Sequence, residues 1–306
     1  MSIFGLRLQT PLECFCVNAI HRHRGSVNLL EWNGSNLLPT PSDTRFDNLM
    51  KPVSILRLQN AYIPADHSVY HGLVELSLIS DGKTQLPTPA QMAQALSACP
   101  ELKRLVLKNV YPKGNHGHPD PGSVRLPKLG YLDLECTKPR NLVPLLKMLQ
   151  PAGQHLTLRI SLSNEPEFIE NFHAFTDRCM SISDTIIKPA EPKVWFGPLN
   201  SYAPKLTKLT LENCDFGDSN LGSYSRKEFA EGSILWPHLH SLILNRCKID
   251  PSLLEVLTGS RYLEIIKFWN CEVTASYSQT SVQVTKSIFK HLFAHSDVII
   301  IVENDD

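Results

Sequence analysis

Four groups of residues have types and spacings that could do chemistry. Cys14-x-Cys16 precedes His21-x-His23, and thiolates with imidazoles are zinc ligands. Structural zinc sites, however, space paired cysteines by about two to four residues on a loop. A helical reading of this stretch puts Cys16 on an apolar stripe and Cys14 off it. His67 and His71 have the i, i+4 spacing of a metalloprotease helix, but Ser68 stands where the general-base Glu belongs. His116, His118 and Asp120 lie in YPKGNHGHPDPG, a Gly/Pro-rich stretch that reads as a solvated loop. Asp215-Phe216-Gly217 spells the metal-binding triplet of protein kinases, yet no glycine loop, strand lysine or catalytic-loop motif precedes it. Neither a G-x-S-x-G elbow nor a G-x-x-x-x-G-K-[ST] loop is present. The expectation is a non-enzymatic chain with no catalytic, cofactor-binding or metal-binding residues.

The elements that would position any site come from an internal repeat. APKLTKLTLENCDF and WPHLHSLILNRCKI carry the same pattern, L-x-x-L-x-L-x-x-C. Leu206, Leu209, Leu211 and Cys214 fill it once, and Leu239, Leu242, Leu244 and Cys247 fill it again. Leu263, Ile266, Phe268 and Cys271 follow with substitutions. Leu102, Leu105, Leu107 and Leu129, Leu132, Leu134 match earlier in the chain. Looser copies are Val27, Leu30, Trp32, then Val53, Leu56, Leu58, then Leu73, Leu76, Leu78. HLTLRISL keeps the alternation around Leu158. Several steps between successive copies fall within the roughly 20–29 residues of leucine-rich repeats. The step from Leu158 to Leu209 is nearly double, and SISDTIIKP, Ser181 to Pro189, supplies a degenerate unit there. FGLRLQ near the start and DVIIIV near the end read as further strands.

Leu-x-Leu alternation is a short strand with one face inward. Each unit then needs a return segment, and several read as helices. Leu12, Phe15, Cys16, Ala19, Ile20 and His23 fall on one helical face, as do Met92, Leu96 and Cys99. Phe168, Phe172, Phe175 and Cys179 form another stripe. DPSLLEVLTG opens with a capping Asp and a first-turn Pro. TSVQVTKSIFKHLFAHS reads as a final helix. No unit can bury its own apolar face, so stacked neighbours must share a core. The expected fold is α/β: one leucine-rich-repeat solenoid over 1–306, a horseshoe with a parallel concave sheet. It has about ten or eleven irregular repeats, a degenerate one near 180–200 and a C-terminal cap near 279–306. A doubly wound sheet is disfavoured, because the strands resemble one another and no glycine-rich phosphate turn follows any of them.

Totals narrow the setting. Lys+Arg and Asp+Glu are equal at 30 each, so no net basic excess draws nucleic acid or anionic lipid. HRHR, His21 to Arg24, is a small cluster suited to a helix end. The eight cysteines are spread too thinly for a disulfide scaffold. The N-terminus lacks a basic, then apolar, leader pattern, and the apolar run Val298 to Val302 is too short to span a bilayer. A reducing cytoplasmic or nuclear setting is expected, with no nucleic acid and no membrane as partner. Cys214, Cys247 and Cys271 take the repeat position that turns in under the strand, where a free thiol packs well.

CPELKRLVLKNV, LPKLGYLDLEC, PKLTKLTLENCDF, WPHLHSLILNRCKI, PLECFCVNAIHRHRGSVNLLEW and VWFGPLN resemble the leucine-rich regions of fungal, particularly basidiomycete, F-box-like proteins. The likeness covers nearly the whole chain. It implies a receptor that recognises a substrate for a cullin ubiquitin ligase. In that family an F-box before the repeats docks to the ligase adaptor, and no counterpart precedes Leu6 here. The resemblance therefore covers the receptor half. A free-standing scaffold or sensing protein is the alternative.

A protein partner is expected on the concave face, through side chains that alternate with the leucines. The candidates are Arg104, Lys108, Tyr131, Asp133 and Glu135 in the middle of the chain. Ile243, Asn245, Ile265, Lys267 and Trp269 form a second set. The middle charges can instead pair across neighbouring strands. An outward Ile243, Ile265 and Trp269 is a large apolar group for a solvent face, and Trp is a frequent binding anchor. A terminal cap over it is the competing reading.

Overall fold

The computed structural model describes residues 13–18, 27–28, 48, 50–81, 87–110, 122–152, 155–162, 165–179, 182–189, 207–215, 239–249, 263–274, 281–283 and 299–303. Eleven strands form one sheet and lie in it in chain order. They are β1 (Cys14–Asn18), β2 (Ile55–Gln59), β3 (Glu75–Ile79), β4 (Arg104–Lys108), β5 (Tyr131–Glu135), β6 (Leu156–Leu162), β7 (Ile182–Pro189), β8 (Lys208–Glu212), β9 (Ser241–Asn245), β10 (Ile265–Trp269) and β11 (Ile299–Glu303). The chain divides into two compact units, residues 1–156 with 177–180, and residues 157–176 with 181–306.

In the first unit β1 to β5 pair in parallel, and the register aligns Phe15, Leu56, Leu76, Leu105 and Leu132 in one row. Val17, Leu58, Leu78, Leu107 and Leu134 form the next row. From Leu56 and Leu58 onward both rows are buried. Burying one leucine side chain is worth about 1.5–3 kcal/mol, so these rows hold the unit together. In the second unit β7 to β11 pair in parallel too, with Thr185, Leu209, Leu242, Ile266 and Ile300 in register. Thr185 is a polar break in that row. It is 2 % exposed, and among the described residues its hydroxyl has no hydrogen-bond partner.

Several repeats open and close the same way. The first strand amide and the one before it share a carbonyl, as Lys103 and Arg104 share that of Val74, and Glu264 and Ile265 that of His240. After the strand the chain turns through a left-handed residue, at Asn60, Asn109, Asn213, Arg246 and Asn270. Its N–H then reaches the last carbonyl of the next strand, as from Asn60 to Ile79 at 2.8 Å and from Arg246 to Trp269 at 2.7 Å. Asn tolerates this conformation because its short side chain finds local partners. The Oδ1 of Asn109 accepts from Thr137 N at 3.0 Å.

Two predicted helices form as read. Helix α1 (Pro89–Ser97) buries Met92 and Leu96, and Thr88 and Gln91 close a capping box. Helix α2 (Val143–Met148), preceded by a 3-10 turn at Pro139–Leu142, is a return segment that the periodicity did not reveal. Helix α3 (Pro166–Arg178) buries Phe168, Phe172 and Phe175. The degenerate repeat at Ser181 to Pro189 provides β7, and DVIIIV provides β11.

Three expectations are corrected. Cys14–Asn18 is a strand, not part of a helix. The apolar residues there fit both periods, and five register pairs with β2 decide for the strand. Val27–Asn28 pairs with Ala61–Tyr62 in a separate two-stranded sheet, because β1 already holds the place beside β2. Ser281–Gln283, expected to begin the last helix, pairs antiparallel with Glu272–Thr274, which satisfies its backbone groups across three register pairs. The expected strand at FGLRLQ, the helix at DPSLLEVLTG, the HRHR cluster and the loop with His116, His118 and Asp120 lie outside the described residues. With its leucine-ladder parallel strands and return segments, the fold is an α/β leucine-rich-repeat solenoid.

Candidate protein-binding face

Alternation fixes which side chains leave the core. With the leucines buried, the residues between them stand on the opposite face of the sheet. The ten candidates separate into five on β4 and β5 and five on β9 and β10.

On the first unit the outward charges answer one another. The Glu75 carboxylate lies 2.7 Å from Arg57 Nε and 3.9 Å from Arg104 Nε. The Arg104 guanidinium stands 3.8 Å over the Tyr131 ring, a cation–π contact. Lys108 Nζ lies 3.1 Å from Glu135 and 3.7 Å from Asp133. Asp133 is 2 % exposed although it faces away from the leucines. Ser77 and Val106, in register with it, are buried as well. Three cations and three carboxylates therefore neutralise one another, and the middle of this face is closed.

The second unit differs. The register sets Ser241 beside Ile265 and Ile299, Ile243 beside Lys267 and Ile301, and Asn245 beside Trp269 and Glu303. Trp269 is 44 % exposed and Ile299 58 %. Ile243, Ile265 and Ile301 are half-buried. Lys267 sits within this apolar group, and no ion pair forms on it among the described residues. Ile299 and Ile301 were missed as site residues. The signal was there: in DVIIIV the alternation that sets Ile300 in register with the buried Ile266 puts 299 and 301 on the other face.

Among the described residues, several of the other candidates make structural contacts. His67 caps a 3-10 turn by accepting from Val69 N at 3.1 Å, and His71 Nδ1 lies 3.1 Å from the Ser68 carbonyl oxygen. The backbone of Asp215 forms an isolated parallel β-bridge with that of Lys248. Cys247 Sγ donates to Leu211 O at 3.3 Å and Cys271 Sγ to Leu244 O at 3.1 Å. Hydrogen bonding with Cys214, then burial, pushes the Cys247 thiol up, and hydrogen bonding with Cys247 does the same for Cys271. Burial alone pushes Cys99 up to about 12. Such thiols stay protonated and inert at neutral pH. Among the described residues no helix is long and apolar enough to cross a membrane.

No known family profile matches the chain. No curated protein matches it either. Among solved structures, it is similar to an internalin from Listeria monocytogenes str. 4b F2365, with 16 % sequence identity and a TM-score of 0.37. That match covers 85 % of this chain and 64 % of the internalin chain, so this chain spans less than two thirds of that protein.

Proposed function

We propose that the chain is a non-enzymatic protein-binding module, and that β9 to β11 present its binding face. One observation carries this reading: Trp269 and Ile299 are exposed, with Ile243, Ile265 and Ile301 beside them, on a face whose register leaves them contiguous. Exposed apolar groups of this kind mark interaction sites, and Trp is a common hot-spot residue. Lys267 within the group favours a partner segment that brings a carboxylate among apolar side chains.

In the finer version the partner is a substrate delivered to a cullin ubiquitin ligase, in the cytoplasm or nucleus. That version draws its support from the sequence resemblance to fungal F-box-like proteins and from the thinly spread cysteines. The test compares the wild-type chain with the Trp269→Ala, Ile243→Asp double variant in affinity capture, both confirmed folded by thermal melting. Partners are expected to drop at least about tenfold, the loss of roughly 1.4 kcal/mol or more that one hot spot supplies. Equal recovery by the folded variant would remove the site. Recovery of ligase adaptor and cullin with the full gene product supports the finer version, and their absence leaves a free-standing scaffold.

A further inference from the structure

β1 carries two thiols on the face opposite the leucine ladder. They are there because Phe15 and Val17 occupy the inward register beside Leu56 and Leu58. Cys14 and Cys16 are both exposed, and the other six cysteines are buried. Their sulfur atoms are 3.4 Å apart. We infer that Cys14 and Cys16 form a chelating dithiol site for a soft, thiophilic metalloid centre of the trivalent arsenical type.

The strand geometry selects chelation over a disulfide. Same-face Cβ atoms two residues apart stand about 6.6 Å from each other, two steps of strand rise. A disulfide needs them within about 3.5–4.5 Å. Even with both C–S bonds aimed at each other, roughly 3 Å would separate the sulfurs, well beyond the ~2.05 Å of an S–S bond. Five register pairs with β2 keep β1 extended. A central atom removes the difficulty. With bonds of about 2.3 Å to each sulfur, a 3.4 Å separation corresponds to an S–centre–S angle of ~95°, which suits a pyramidal trivalent centre.

Partial burial, then the hydrogen bond with Cys14, pushes the Cys16 thiol up, while Arg57, opposite in register, pulls the other way. The reaction accepts protonated thiols. An arsenical oxide condenses with both: two S–H bonds break, two As–S bonds form, and the oxo oxygen leaves as water with the two protons. Arsenic stays trivalent, so no oxidant or reductant is needed.

The experiment adds phenylarsine oxide to the reduced full-length chain. Intact-mass analysis is expected to show one adduct per chain with loss of one water, and both fast-reacting thiols should be protected from a maleimide. Cys14→Ser and Cys16→Ser, substitutions at exposed positions checked by thermal melting, should each weaken binding at least a hundredfold. An adduct that persists in either single variant overturns the proposal, as does the absence of any adduct. A Cys14–Cys16 disulfide formed readily by oxidised glutathione in the folded chain also overturns it.

Discussion

On β2 to β5 the outward side chains satisfy one another's charges, whereas on β9 to β11 they leave tryptophan and isoleucine open to solvent. The inner rows are alike: Leu105 and Leu132 in one unit, Leu209 and Leu242 in the other, all buried. The repeat thus fixes the inside and leaves the outside free to differ. Arg57, Glu75, Arg104 and Tyr131 form a connected strip, and a partner docking there would have to replace contacts already made. Trp269 and Ile299 would bury exposed apolar surface on contact, which is favourable. This contrast is the physical reason for proposing the second unit as the binding face.

The contrast breaks if the inner rows are not equally needed. Leu132→Ala and Leu242→Ala should each destabilise the chain by about 2–5 kcal/mol, the cost of lost burial plus a cavity. Ile243→Ala, on the outward face, should cost far less. Urea unfolding with matched slopes measures all three. A Leu242→Ala variant as stable as Ile243→Ala would mean that the second unit is not built on its ladder.

The outward lysines sharpen the comparison. Lys108 lies against Glu135 and the buried Asp133, while Lys267 has no such ion pair among the described residues. Lys108→Met leaves a buried carboxylate short of its cation and should cost about 1–3 kcal/mol. Lys267→Met should change stability by no more than ~0.5 kcal/mol, and should weaken partner binding instead. Equal stability losses for the two variants would erase the distinction between a satisfied face and an open one.

Much of this was legible in the sequence. The Leu-x-Leu spacing gave the register of β2 to β5 and of β8 to β10, because a one-residue slip would turn leucines to solvent. The stripes of α1 and α3 were legible for the same reason: Met92 with Leu96, and Phe168 with Phe172 and Phe175, leave one apolar face. Residues 14–18 were not, because Phe15 and Cys16 suit a helical stripe while Phe15 and Val17 suit a strand. The neighbour β2 decided, and it is a long-range partner. Pairing of the middle charges was legible as one of two readings, but the burial of Asp133 was not. Asp133 is polar and alternates outward, yet its burial depends on Lys108 and other packing that no local pattern encodes. At the second site, pairing of β10 with β11 adds Ile299 and Ile301, although thirty residues separate Trp269 from Ile299 in the chain.

The smallest effect concerns the left-handed turn that follows five of the strands. In the first unit the left-handed residues that close a strand are Asn60 and Asn109, while in the second Arg246 stands between Asn213 and Asn270 in the series. A left-handed conformation costs an ordinary residue about 1–2 kcal/mol, and Asn pays less because its side chain bonds locally. Asn109 Oδ1 accepts from Thr137 N, two residues beyond the end of the next strand. An Asn at 246 would direct its Oδ1 to the matching amide, that of Cys271. Arg246→Asn should therefore stabilise the chain by about 0.5–1 kcal/mol and raise the melting temperature by roughly 1–4 °C. A lowered melting temperature would show that the Arg246 side chain makes contacts worth more than the strain, and that the turns of the two units are not interchangeable.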